Sequence, residues 1–337
     1  GDGGWWHYFA GLVDKYGVVP ISAMPETKQS SSTGMLNKLA TSKLRGFASE
    51  LRQMHVDGKN EKELRRRKEA MLADIYTILV FTYGQPPTEF TLRYELDKKD
   101  EKKDETDSTD LDIGEDDGDE DDDKDDKPEI IEAEYTPASF YKEFFGGELP
   151  EYVALCNNPT REYGTLYQIQ TSRNMFEIED FVILNLPIER LKHYSAKALL
   201  DSQVVWFACD VGKQNYGDSG IFMEGIYDYN RTFGMDFKLS KRDRIAFKDI
   251  SPNHAMVLMG VDTASDGTPV KWLVENSWGS KKGDDGNWYL YDDWFSEYVL
   301  VTIIDKRQME EAELEMLRKK PLPVEPWDPF FLALRRL

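Results

Sequence analysis

The chain has 337 residues, and its 63 Asp and Glu outnumber 42 Lys and Arg for a formal charge of −21. Apolar residues make up 40% and aromatics 12%, enough for a sizeable core. The composition offers no basic face to nucleic acid, no apolar run reaches the ~18 residues of a membrane span, and two cysteines exclude a disulfide scaffold.

The residues after Gly1 read as a Gly-rich turn leading into a short amphipathic helix that Gly17 ends. Pro20 and Pro25 make Val18 to Pro25 extended or irregular. Apolar residues from Met35 to Met54 recur every three to four positions, and a second such stretch runs from Glu61 to Tyr83 until Gly84, Pro86 and Pro87 stop it. The spacing predicts two long helices joined at Asp57-Gly58 as a hairpin. Phe90 to Leu96 alternates like a strand.

Between Asp100 and Lys127 stand 17 Asp or Glu and 4 Lys, so the charge is concentrated in one run. A segment this polar buries too little to offset its ordering entropy and is expected to be a solvated loop. It lacks the residue order of a calcium-binding helix-loop-helix site. Thr136-Pro137 then starts a helix with proline in the first position. Val204 to Val211, Ala255 to Val261, Lys271 to Glu275, Trp288 to Tyr291 and Val299 to Ile304 read as strands of an antiparallel meander, followed by a charged helix near Gln308 to Lys320 and a Pro-rich tail. Helices first and sheet later make the fold class α+β. The expected parts are a helical part over 1–99, the acidic loop over 100–127, a sheet part over 128–307, and a C-terminal helix and arm over 308–337.

Four histidines are present. His55 and His193 lie in polar surroundings and read as solvated, while His7, after two tryptophans, suits a ring facing a partner. His254 differs, because it opens an apolar strand after Pro252 and Asn253. Asn276 closes another strand 22 residues later and begins Asn276-Ser-Trp-Gly279. If these two strands are antiparallel neighbours, the two ends meet. The amide oxygen of Asn276 can then hold one imidazole nitrogen and leave the other to take a thiol proton, with Trp278 shielding the contact.

The pair Asn253-His254-Ala255 and Trp272-Leu-Val-Glu-Asn276-Ser-Trp-Gly279 resembles the histidine and asparagine motifs of papain-like cysteine peptidases. Gly1-Asp-Gly-Gly-Trp5, Tyr16-Gly-Val-Val-Pro20, Met24-Pro-Glu26, Val205-Trp-Phe-Ala-Cys-Asp-Val-Gly-Lys213, Trp294-Phe-Ser-Glu-Tyr298 and Pro326-Trp-Asp-Pro329 are similar to the bleomycin hydrolase and aminopeptidase C branch of that family. The likeness runs in order along nearly the whole chain. It implies a papain-like fold and a cysteine aminopeptidase acting on peptides, with His254 as base, Asn276 as orienter and no metal or organic cofactor. It further implies substrate contacts at Gly3, Gly4, Asn253 and Trp278 and a ring-shaped homohexamer, while the acidic charge and the lack of a long apolar run, not the resemblance, argue against a nucleic-acid or membrane partner.

In this family the nucleophile is a cysteine in a Gly-x-Cys-Trp motif, preceded by a glutamine of the oxyanion hole. Cys156 and Cys209 lack that motif, so the nucleophile segment is expected upstream of Gly1, in cis or as a separate chain. The family's terminal carboxylate, here that of Leu337, holds the substrate amine. Arg335 and Arg336 beside it would weaken that pull, which puts exopeptidase selectivity in question. A cytoplasmic site suits a thiol enzyme with few cysteines, and an exported form stays open. The competing reading is a catalytically inactive relative that serves as a binding or assembly module.

Overall fold

The structure is a computed structural model that describes residues 4–96 and 129–328. Helix α1 (Trp6–Tyr16) follows the Gly-rich start and stops just before Gly17, as expected. Gly17 has φ 76°, and a Cβ there would stand 2.3 Å from the carbonyl oxygen of Pro137, which accepts a hydrogen bond from the Val18 amide at 3.2 Å. Only glycine fits that approach.

Contacts divide the chain into two units. Tyr16–Glu148 form one, and the described residues up to Lys15 cluster with those from Leu149 onward as the other. The first unit holds the expected helical hairpin, α2 (Gly34–Val56) and α3 (Glu61–Tyr83). Asn60 caps α3 through a reciprocal box with Glu63, and Arg67 of α3 forks onto Glu50 of α2 at 2.6 and 3.1 Å. β1 (Phe90–Leu96) pairs antiparallel with β2 (Glu129–Tyr135) over all seven positions, Leu96 opposite Glu129. α4 (Pro137–Phe145) begins on a Thr136–Ser139 capping box with proline at its head, as the sequence implies. Phe90, Phe140 and Phe144 pack ring against ring at 4.7–5.6 Å between centroids.

This pairing corrects the expected part boundaries. β2 and α4 belong with the helical hairpin and not with the sheet part, because a seven-residue ladder to β1 holds them there. The acidic loop itself lies outside the described residues.

The other unit is built on a large sheet. Its elements in order are β3 (Tyr152–Cys156), β4 (Thr165–Ile169), β5 (Val182–Asn185), α5 (Ile188–Leu200), β6 (Val205–Cys209), β7 (Asn215–Tyr216), β8 (Ile221–Phe222), α6 (Tyr229–Phe233), α7 (Lys241–Ala246), β9 (His254–Thr263), β10 (Pro269–Glu275), β11 (Asn287–Tyr291), α8 (Asp292–Tyr298), β12 (Val299–Asp305), α9 (Glu311–Leu317) and β13 (Leu322–Val324). Among the described residues the strand order is β13-β4-β5-β3-β12-β6-β9-β10-β11-β8-β7. Every strand expected from an apolar run is present. The simple meander is not: of the five strands expected in it only β9-β10-β11 follow one another, and β12 returns to lie between β3 and β6. Parallel pairs β3-β5, β8-β11 and β4-β13 make the sheet mixed.

The physical reason is burial. All seven residues of β12 are buried, so this strand needs neighbours on both edges and cover on both faces. Leu191 and Tyr194 of α5 and Trp272, Trp288, Trp294 and Phe295 are fully or nearly fully buried in the same core. The expected C-terminal helix is shorter than its charge pattern suggests, since Lys306–Gln308 form a separate 3₁₀ turn ahead of α9. At the end of the described chain, Arg161 pairs with Asp328.

His7 is a correction of a different kind. Its ring does not face a partner but lies stacked on Phe181 at 4.6 Å and 13°, with both nitrogens buried and without a hydrogen-bond partner. Burial pushes its pKa down to about 4, only partly offset by Asp180. The unfolded chain therefore takes up a proton near pH 6.5 that the folded chain refuses until about pH 4. The resulting loss of stability begins as the pH falls through about 6.5 and is complete near 4, on the order of 3 kcal/mol. His7→Phe should flatten that part of the stability profile, read as urea midpoints at about pH 7.5 and 4.5. An unchanged pH slope in the variant would show that His7 does not carry it.

Candidate active site

The β9-β10 hairpin builds the centre of the site. Its turn is closed by Gly267 at φ 83° and by a bond from the Ala264 amide to the Thr268 carbonyl at 2.8 Å. The far end of the same hairpin therefore brings the start of β9, His254, beside the residue after β10, Asn276. His254 Nε2 lies 2.8 Å from Asn276 Oδ1. The same oxygen accepts from the Ser277 amide at 2.8 Å, which fixes it as the acceptor end of the amide. Nε2 then carries the proton and donates it, and Nδ1 is left as the basic nitrogen. Asn276 is 8% exposed, so this bond is sheltered from competing water.

The indole of Trp278 lies over the imidazole at 4.9 Å and 29°, as the shielding role requires. Trp278 is itself held edge-on by Trp288 at 5.2 Å and 80°, and Trp288 stacks on Phe222 at 4.8 Å, which meets Trp294 at 4.8 Å. A ring that is 43% exposed is thus anchored to three almost fully buried ones. Sequence reasoning found Trp278 but not this support, because strand register alone does not say which aromatic meets which.

Asn253 sits against β6. Its Oδ1 accepts from the Val211 amide at 3.0 Å and its Nδ2 donates to Asp210 at 2.7 Å. Asp210 is buried, a functional candidate that the sequence offered only as part of a longer motif. Gly4 heads α1 in a crevice of about 10 Å³ shared with Trp206 and Ala208, the residue paired with Ala255 next to His254. Gly3 and Leu337 lie outside the described residues. The structure thus brings Asn253, His254, Asn276 and Trp278 together.

Neither cysteine offers a thiolate. Both are fully buried, and burial pushes both thiols far up. Cys156 donates to Asn185 Oδ1 at 3.5 Å. Cys209 is the register partner of His254, yet Asp210 adds to the burial in opposing its ionisation. Among the described residues no cluster of His, Cys, Asp or Glu could hold a metal, and no helix is long and apolar enough to cross a membrane. A cavity of about 790 Å³ along α5 contains none of these site residues; its Lys192 pairs with Asp292 at 2.5 Å, and its His193 with Glu310 at 2.8 Å.

Comparison with known proteins finds relatives along almost the whole chain. Residues 1–115 and 120–331 match the Peptidase C1-like family. Aminopeptidase C of Listeria monocytogenes is 33% identical over 330 residues, which are 97% of this chain and 68% of the relative. Bleomycin hydrolase of Mus musculus is 32% identical over 335 residues, with the same shares covered. The crystal structure of PepW from Lactobacillus rhamnosis superposes with a TM-score of 0.85 at 34% identity, covering 98% of this chain and 68% of that one.

Proposed function

This chain belongs to the Peptidase C1-like family and is by that kinship a cysteine-type aminopeptidase of papain-like fold, in which we propose that His254 is the general base and acid and Asn276 the group that orients it. The observation that carries the reading is the 2.8 Å contact from His254 Nε2 to Asn276 Oδ1 under the Trp278 ring. That contact leaves Nδ1 to take the proton of a thiol.

Cys156 and Cys209 are sealed in the core, so the nucleophile is a cysteine outside these 337 residues, within the third of the relatives' length that this chain does not span. The thiolate attacks the carbonyl carbon of a substrate's first peptide bond. The tetrahedral adduct collapses as the C–N bond breaks, and the leaving amine takes the proton from His254. Water then attacks the thioester while His254 accepts its proton, and the acid product and thiol are released. Asn276 keeps the ring in one plane through both halves. A neutral acceptor suffices for that, because the imidazolium is paired with the thiolate. The full-length protein self-associates into closed rings in the same reading, as the resemblance implies.

Aminopeptidase selectivity is tested with a pair of fluorogenic substrates that differ only at the amine. The full-length protein should hydrolyse a free aminoacyl coumarylamide at least about 100-fold faster than its N-acetyl form, because a site built to hold a charged amine rejects the analogue that lacks it. Equal rates would mean that the altered tail leaves an endopeptidase.

A further inference from the structure

We propose that Asp210 is a positioning residue for the base, acting through the side chain of Asn253; this rests on the assignment of His254 above. The last register pair between β6 and β9 is Cys209 with His254. Beyond it the backbone contributes one more bond, from the Asn253 amide to the Cys209 carbonyl at 3.0 Å, and then the strands part. Side chains continue the ladder where the backbone stops. One oxygen of the Asp210 carboxylate accepts from Asn253 Nδ2 at 2.7 Å, and the other accepts from the Ser251 amide at 3.2 Å. Asn253 Oδ1 returns to the β6 side by accepting from the Val211 amide at 3.0 Å. Asp210 is itself tied to the end of α8, its amide donating to the Tyr298 carbonyl at 3.1 Å.

The two side chains thus close a loop of hydrogen bonds around the segment that delivers His254. Asp210 is 5% exposed, so its charge has little water to turn to and depends on these amide donors. Asn253 in turn spends both ends of its amide on the protein. That gives it a reason to stand before the base other than contact with substrate. The segment from Ser251 to Asn253 lies beyond the paired register and is tied to the β6 backbone through the Asn253 amide, so without the loop the backbone just before the base would be less firmly held. A displacement of about 1 Å in a catalytic group costs roughly 100-fold in rate.

The donor and acceptor roles supply a specific test. In Asn253→Asp, two carboxylates face each other. In Asp210→Asn, an amide must accept from two donors with one oxygen. When both substitutions are combined (D210N with N253D), every bond can form again with the roles exchanged. The new amide at position 210 donates to the new carboxylate at position 253 and accepts from the Ser251 amide. That carboxylate still accepts from the Val211 amide. In the full-length enzyme each single variant should lower kcat about 10-fold or more with KM within about threefold, and the exchange should return kcat to within about threefold of the parent. A rise in KM at constant kcat would make Asn253 a substrate contact and overturn the proposal. So would single variants with parental kcat, or an exchange that restores the melting temperature but not kcat. His254→Ala is assayed beside them; if that variant stays active, the base assignment has failed, whatever the Asp210 series shows.

Discussion

In the full-length enzyme, His254→Ala is expected to lower kcat/KM for an aminoacyl substrate by about 10³-fold or more, the scale on which removal of a triad base acts. The loss should fall mainly on kcat. His254 is partly exposed at the strand mouth and packs against Trp278 on one face, so its removal leaves the buried core of β6, β9 and β12 untouched. The variant should therefore melt within a few degrees of the parent, and the activity loss cannot be ascribed to unfolding. Near-parental hydrolysis by a folded His254→Ala enzyme would sink the assignment.

Asn276→Ala should cost less, about 10- to 100-fold, because an orienting group restricts a ring that can still reach the same pose part of the time. Its structural cost should exceed that of His254→Ala. Asn276 is 8% exposed, its Oδ1 also holds the Ser277 amide, and its truncation would leave that amide without this acceptor and a void in the buried site. The two variants thus separate in opposite directions: the base removes more rate, the orienter more stability. Reversed ranks in both would exchange the roles proposed for them.

The fold was legible where a strong local pattern coincided with a long element. α2 and α3 follow the helical spacing of their apolar residues, and α4 begins where Pro137 follows a capping threonine. β9, β10 and β12 sit on the apolar runs that announce them. Strand order was not legible, because β12 and β3 meet at pairs such as Thr302 with Leu155, far apart in the chain, and nothing local encodes a partner at that separation. The same limit hid the assignment of β2 and α4 to the helical unit, since the ladder to β1 spans the acidic loop. At the site, His254 and Asn276 were readable because both stand at ends of one hairpin. Asp210 was not, since its role depends on two strands parting at one rung. His7 misled for a plainer reason: a polar ring in a Trp-rich segment looks like a contact residue until Phe181, distant in sequence, is found stacked on it.

The two cysteines yield the sharpest expectation. Cys156 and Cys209 are both 0% exposed, and in both the thiolate is opposed first by burial. Lys241 and Arg161 favour the Cys156 thiolate but do not overcome that burial, and Asp210 works against ionisation of Cys209. Alkylation requires an exposed thiolate, so in the folded protein it must wait for opening of the core. Iodoacetamide at about pH 7.5 should leave both thiols of the native protein unmodified for hours and alkylate both within minutes in urea. A thiol-directed epoxide inhibitor should add one equivalent to the full-length enzyme, and peptide mapping should place it on a cysteine outside these 337 residues. Cys156→Ala and Cys209→Ala should retain kcat, because each removes only a small buried side chain from the wall of the sheet. Inhibitor found on Cys209 would carry the opposite conclusion: the register partner of His254 would be the nucleophile, and β6 and β9 would have to open at that rung to expose it.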